Sequence, residues 1–261
     1  MSLIVSKAGC TLSFLQSDLQ HVRFENAASY HQLVGKSTIR RTAVRVIKRV
    51  VQAIIGVYIC CLLLLVGLRW INPPTTAVQI QRRVQSWFSH GHYRKRRQYA
   101  PLERISPNLQ HAVIAAEDGR FYQHHGIDWK EVQKVVDQGL DDGKVGRGAS
   151  TITQQLVKNL FLGTSRSFIR KGAEFALTFP TEVIIGKSRI LELYLNVIEW
   201  GPGVYGAEQG AQFWYNSSAA HLSREQSARL AAVIPSPLRR KPSRMDSYSS
   251  EILGRMGQTG W

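Results

Sequence analysis

The stretch GRGASTITQQLVKNLF, Gly146 to Phe161, decides between two folds. Read as a loop, the glycines at 143, 146 and 148 follow the G-x-x-x-x-G spacing of a phosphate-binding loop, which would make the domain an α/β nucleotide binder. Ala149 stands where the phosphate-gripping lysine would be, and no hydrophobic strand precedes the glycines, so that reading fails. Read as a helix that Ser150 caps and Thr151 starts, the same residues sort into two faces. Ile152, Leu156 and Leu160 point to a core, while Thr151, Gln155 and Lys158 share the other face at i, i+4 and i+7. An ordinary amphipathic helix fits this pattern as well as a polar shelf beside Lys158 does.

Working outward, the helical period recurs. From Ser106 the segments NLQHAVIAAEDGRF, DWKEVQKVVDQGL, SFIRKGAEFALTF, KSRILELYLNVI, VYGAEQGAQFWY and SREQSARLAAVIP all read as helices, and strand signals are sparse. Ile190, Leu191, Leu193, Tyr194 and Leu195 mark a buried helix, and Ser223 is placed to cap the helix after it. Pro180 predicts a break or kink. The fold class is mainly α.

The chain has 261 residues and carries 34 Lys+Arg against 18 Asp+Glu, a balance that points to an anionic partner. Val50 to Leu68, VVQAIIGVYICCLLLLVGL, holds no charge over nineteen residues and as a helix would span about 28 Å, enough for a single transmembrane crossing. Residues 1–49 carry eight basic residues against two acidic ones, so the amino terminus is expected in the cytoplasm and Arg69 onward outside it. Nucleic acid is thereby demoted as a partner, and lipid headgroups and phosphate esters remain. The outer part has no cysteine, which excludes a disulfide framework there. Residues 69–100 read as a juxtamembrane connector with a basic run, 101–245 as the globular domain and 246–261 as a C-terminal tail.

Two further constellations carry chemistry. In IAAEDGRFYQHHGIDW, Glu117 and Asp118 end an apolar run, a setting that raises a carboxyl pKa toward the range useful for proton abstraction; a solvated helix-end acid is the plainer reading. For His124 and His125 a structural, hydrogen-bonded role is preferred, since no H-E-x-x-H or cysteine partner supports a metal. In SRSFIRKGAEFAL, Arg166, Arg170, Lys171 and Glu174 form either a surface salt-bridge ladder or a clamp for a polyanion.

Taken in order, five motifs resemble the peptidoglycan glycosyltransferases, glycosyltransferase family 51. They are Glu117-Asp118-x-x-Phe121-x-x-His124-x-Gly126, then GASTITQQLVKN, Arg170-Lys171-x-x-Glu174, KSRILELYLN and EWGPGVYGAEQGA, over about residues 100–240. The resemblance implies a lysozyme-like, two-lobed helical domain that polymerises lipid II into a β-1,4 glycan strand with inversion and release of undecaprenyl diphosphate. It makes Glu117 the general base and Glu174 a second catalytic carboxylate at the donor diphosphate. Asp118, Phe121, His124, Ser150, Thr151, Gln154, Gln155, Lys158, Asn159, Arg166, Arg170 and Lys171 become substrate-binding residues. No cofactor is required on this reading, though Mg²⁺ or Mn²⁺ can assist, as in some relatives.

The implied partners are lipid II, the growing strand and membrane lipids, with cell-wall synthesis proteins admitted. The implied location is a bacterial inner membrane, crossed once, with the domain on the periplasmic side. The S-x-x-K and K-T-G motifs of bifunctional relatives are absent from the sequence, which points to the monofunctional form, and Trp214-Tyr215 replaces the family's frequent Tyr-Phe pair. A lytic enzyme with the same glutamate and an inactive lipid II-binding scaffold are the rival readings.

Overall fold

The computed structural model describes residues 42–88, 93–142, 149–165 and 167–261. Most of the basic tail, the glycines at 143, 146 and 148, and Arg166 lie outside the described residues. Among the described residues ten α-helices follow one another: α1 Thr42–Leu68, α2 Ala77–Phe88, α3 Pro107–Glu117, α4 Trp129–Asp142, α5 Ile152–Val157, α6 Phe168–Ile185, α7 Lys187–Val197, α8 Ala207–Tyr215, α9 Arg224–Ala231 and α10 Asp246–Gln258. The chain divides after Ile59 into two compact units, of which the second, Cys60–Trp261, holds every element from α2 onward.

Helix α1 has 27 residues and is long and apolar enough to cross a membrane. Its described residues up to Ile59 expose their side chains. Its last turns belong to the second unit, where Leu65 and Leu68 join the core. Arg189 on α7 secures that end: Nε donates to the Leu68 carbonyl at 3.1 Å and Nη2 to Asn72 Oδ1 at 2.8 Å. The guanidinium thus satisfies a carbonyl that the end of a helix leaves without an intrahelical partner.

The core forms where the sequence periodicity places it. Ile190, Leu191, Leu193, Tyr194 and Leu195 are all fully buried on α7. Helix α3 packs against α9 and α10, while α5 packs against α6 and α7. Ser223 caps α9 in a reciprocal capping box with Gln226. Helix α6 runs through Pro180 to Ile185 rather than breaking there. Tertiary packing against α5 and α7 overrides the local penalty of the ring.

Two segments are more ordered than their sequence suggests. Within 69–100, expected as a connector, α2 packs over the turn that follows α5 and buries Val78 and Gln79. Strand β1, Arg96–Arg97, then pairs in parallel with β3, Val204–Tyr205, which pairs antiparallel with β2, Glu199–Gly201. The basic run was hard to read because its backbone, and not its side chains, makes the sheet. Residues 246–261, expected as a tail, form α10, with Ile252 and Met256 fully buried.

Gly206 shows why the loop after β3 needs glycine. Its φ is +87°, and a Cβ there would meet the Gln98 carbonyl oxygen at 2.7 Å.

Asn196, at 0 % exposure, links α7 to the chain entering the domain: it accepts from Ala100 N at 2.9 Å and donates to the Ala100 and Glu192 carbonyls, each at 2.8 Å. Replacing it by alanine strands a buried N–H and carbonyl. Asn196→Ala should cost about 2–3 kcal/mol and lower the unfolding midpoint by roughly 5–10 °C, read by thermal denaturation of the full chain in detergent.

Candidate active site

The site is built where α3 ends and α5 begins. Ser106 caps α3, accepting from Asn108 N at 3.2 Å, and Leu109, Ala112, Val113, Ile114 and Ala115 bury its inner face. Glu117 is therefore delivered at the last turn, where it lines a cleft of about 490 Å³. The carbonyl end of a helix is the negative end of its dipole, an unfavourable place for a carboxylate charge.

A relay of two hydrogen bonds holds the Glu117 side chain. Gln155 Nε2 donates to Glu117 Oε2 at 2.6 Å, and the Tyr194 hydroxyl donates to Gln155 Oε1 at 2.9 Å. Tyr194 is fully buried, and burial holds its phenol well above its usual range, so it serves as a neutral donor. The amide of Gln155 then has one orientation available. Burial also pushes the Glu117 carboxyl up, and the Gln155 hydrogen bond together with the charges of Lys158 and Arg240 opposes that push. Glu117 is a carboxylate of raised basicity with one oxygen left for a ligand in the cleft.

The six small polar groups of Ser150–Asn159 divide between fold and site. Thr151, not Ser150, is the N-cap of α5: its Oγ1 accepts from Gln154 N at 3.2 Å while Gln154 Oε1 accepts from Thr151 N at 3.0 Å. The Thr151 hydroxyl also donates to the Gly126 carbonyl at 2.5 Å. Thr153 donates to Glu182 at 2.5 Å, and Asn159 donates to the Gln155 carbonyl at 2.8 Å. The Thr151 hydroxyl, Gln154 Oε1 and Asn159 Nδ2, on residues expected to hold substrate, thus bond within the protein. Gln155 turns to Glu117, and Ser150 lines the cleft, its Oγ at 3.3 Å from Lys171 Nζ.

Asp118, Phe121 and His124 were likewise expected to bind substrate, and here they brace the two helices. Asp118 Oδ2 accepts from Ile152 N at 3.0 Å, in the first turn of α5. Gly126 N donates to His124 Nδ1 at 3.1 Å, which leaves the ring proton on Nε2, aimed at Asp118 at 2.9 Å. Gly126 sits at φ +93°, and a Cβ would meet Thr178 Cγ2 at 2.7 Å. Phe121 is fully buried, with Lys187 Nζ 4.3 Å from its ring centre. Potential ligand atoms of Asp118, His124 and Asp128 lie within 4.8 Å of one another. Arg120 already bonds both oxygens of Asp128, so a guanidinium supplies the charge a metal would bring.

Past Val157 the helix widens into a π-helical turn, Lys158–Leu162, closed by Gly163 N donating to the Lys158 carbonyl at 3.0 Å. Half-buried Lys158 stands in the field of both Glu117 and Glu174. Burial pushes its ammonium down, and the two carboxylates pull it back up. Glu174, 2 % exposed, accepts from Arg170 Nη1 at 2.6 Å and Lys171 Nζ at 2.5 Å, the i, i+4 and i, i+3 pairs of one helix. Arg170 keeps a buried Nε without a partner. Three cations thus gather around one buried carboxylate, close enough to Glu117 for Lys158 to feel both acids.

The sequence reading missed Tyr194 as the support of Gln155, though a fully buried tyrosine needs a hydrogen-bond partner. It also missed Tyr248 and Arg255, which reach the cleft from α10.

Because the Gln155 hydrogen bond favours the charged carboxylate, removing it should raise the Glu117 pKa further. Infrared titration of the protonated carboxyl band, assigned with Glu117→Gln, should show that band persisting to higher pH in Gln155→Leu than in the wild type.

Known proteins resemble this chain over most of its length. A family model described as Transglycosylase matches residues 82–257. The biosynthetic peptidoglycan transglycosylase of Pseudomonas syringae pv. syringae is 41% identical over 213 residues, 82% of this chain and 90% of the relative. The protein of that name from Pseudomonas entomophila is 45% identical over 197 residues, 74% of this chain and 83% of the relative. The one from Herminiimonas arsenicoxydans is 44% identical over 194 residues, 72% and 84% respectively. The chain belongs to the transglycosylase family.

Proposed function

We infer that this protein is a peptidoglycan glycosyltransferase of bacterial cell-wall synthesis, and that it extends a glycan strand by consuming lipid II. The observation that carries the mechanism is Glu117, held by Gln155 at 2.6 Å with its basicity raised, beside a cluster of three cations. The 4-hydroxyl of the acceptor sugar loses its proton to Glu117 as its oxygen attacks C1 of the growing strand. The C1–O bond to the diphosphate breaks, its electron pair leaves with undecaprenyl diphosphate, and the anomeric centre inverts.

Lys158, Arg170 and Lys171 meet the developing charge of the leaving group. Glu174 holds Arg170 and Lys171 in place, and Arg170 Nε, unpartnered within the protein, is available to a phosphate oxygen. The family resemblance gives Arg166 a part in meeting the same charge, and Ser150 is assigned to the sugar or diphosphate beside Lys171. The protein's own cations carry the leaving-group charge without a required metal, and Mg²⁺ or Mn²⁺ adds to them when present.

The substrate is lipid-linked, and the rest of the chain suits that. Helix α1 serves as a single membrane anchor in the inner membrane, with the domain on the periplasmic side, in keeping with the basic residues that precede the span. Exposed Trp70, Ile71, Trp87, Phe88, Phe168 and Ile169 provide apolar contact for lipid.

Glu117→Gln preserves shape and removes the base. Glycan formation from labelled lipid II should fall by about 10²–10⁴-fold while lipid II binding stays close to the wild type. Lys158→Ala should lose both donor binding and rate. Chelation with EDTA should leave polymerisation intact, and its loss would require a bound metal. A wild type that cleaves preformed glycan and forms none would establish the lytic reading instead.

A further inference from the structure

Helix α10 has no part in the scheme above, yet it forms a wall of the cleft. Tyr248 in its first turn and Arg255 near its end line the same volume as Glu117. The helix is anchored by buried Ile252 and Met256 and by the ion pair of Asp246 with Arg229. Arg255 Nη1 donates to the Ala115 carbonyl at 3.4 Å, so α10 is fastened to the very turn that carries Glu117.

Tyr248 is held in place from two sides. The Arg240 guanidinium lies 5.3 Å from its ring centre, and Arg240 is itself fixed by donating to the Ala232 carbonyl at 2.8 Å. The ring is half-buried and packs on the core. Its hydroxyl has no hydrogen-bond partner among the described residues. Tyr93, Tyr99, Tyr194, Tyr205 and Tyr215 all bond through their hydroxyls within the protein. A half-buried phenol without a partner, on a residue that lines a cleft, is a vacant donor and acceptor. Burial and the nearby Glu117 charge hold that phenol above its usual range, so it keeps its proton at neutral pH.

The charge of the wall indicates what it receives. The cleft is lined by four carboxylates, Glu117, Asp118, Asp128 and Glu131, against three cations, Arg120, Lys134 and Arg255. A lining of mixed and nearly balanced sign, away from the diphosphate cations, suits an uncharged, polyhydroxylated ligand. The diphosphate cations Lys158, Arg170 and Lys171 are not among the residues that line this volume.

We propose that Tyr248 binds the acceptor saccharide, its hydroxyl hydrogen-bonding a hydroxyl or acetamido group of the sugar whose 4-hydroxyl Glu117 deprotonates. The proposal rests on the glycosyltransferase reading and adds a contact outside the five motifs. Such a bond is made alike in the bound and transition states, so its loss appears in KM more than in kcat.

The test is Tyr248→Phe in the full chain in detergent, with lipid-linked glycan as saturating donor and lipid II varied as acceptor. The KM for lipid II should rise about three- to tenfold, with kcat, the donor KM and the unfolding midpoint unchanged. Tyr122→Phe, at an exposed tyrosine outside this cleft, should leave every value unchanged. An unchanged acceptor KM in Tyr248→Phe, while the wild type polymerises, overturns the proposal. Equal rises in donor and acceptor KM, or a lowered midpoint, would assign Tyr248 a structural role and overturn it too. A wild type that forms no glycan removes the underlying reading, and the proposal with it.

Discussion

The hydrogen bond from Gln155 to Glu117, 2.6 Å long, joins the end of α3 to the helix that carries Lys158. A base at one helix end and a cation on another can act on a single ligand only if the two helix ends are held in register. Asp118, the residue after Glu117, makes a second tie by accepting from Ile152 N. His124 and Gly126 extend it, and Tyr194 behind Gln155 keeps the amide from turning. A misplacement of about 1 Å is enough to cost a hundredfold in rate, so supports of this kind are part of the chemistry.

Burial then sets the electrostatics. It pushes the Glu117 carboxyl up and the Lys158 ammonium down, each toward the other's range, and the charge of each opposes the shift of its neighbour. Glu174 differs, since it is nearly inaccessible and bonded to two cations that confine it to holding them. One fold thus keeps two carboxylates in two settings, one of raised basicity beside the cleft and one bonded to two cations.

Much of this was legible in the sequence where period and burial coincide. The apolar spacing of α7 gave a buried helix, and the apolar run before Glu117 gave an acid at a helix end. Spacing alone was off by one residue at the start of α5, because Ser150 and Thr151 are both good caps and only the Gln154 box distinguishes them. It was also silent on direction. Thr151, Gln154, Asn159 and His124 look alike whether their polar atoms face a ligand or the backbone, and only packing decides that. The contribution of α10 was hidden for another reason: a helix with few core residues gives no sign that it closes on a turn some 140 residues away in sequence.

If Glu117 acts as a base of raised pKa, the pH dependence of polymerisation reports it. A base must be deprotonated to act, so a carboxyl held above its ordinary range places the loss of activity, on lowering the pH, above the usual range for glutamate. The initial rate of glycan formation from labelled lipid II should fall along one acid limb lying higher than about pH 4.3, and Gln155→Leu should move that limb higher still. A limb at or below the ordinary glutamate range, or one unmoved by Gln155→Leu, would contradict the account.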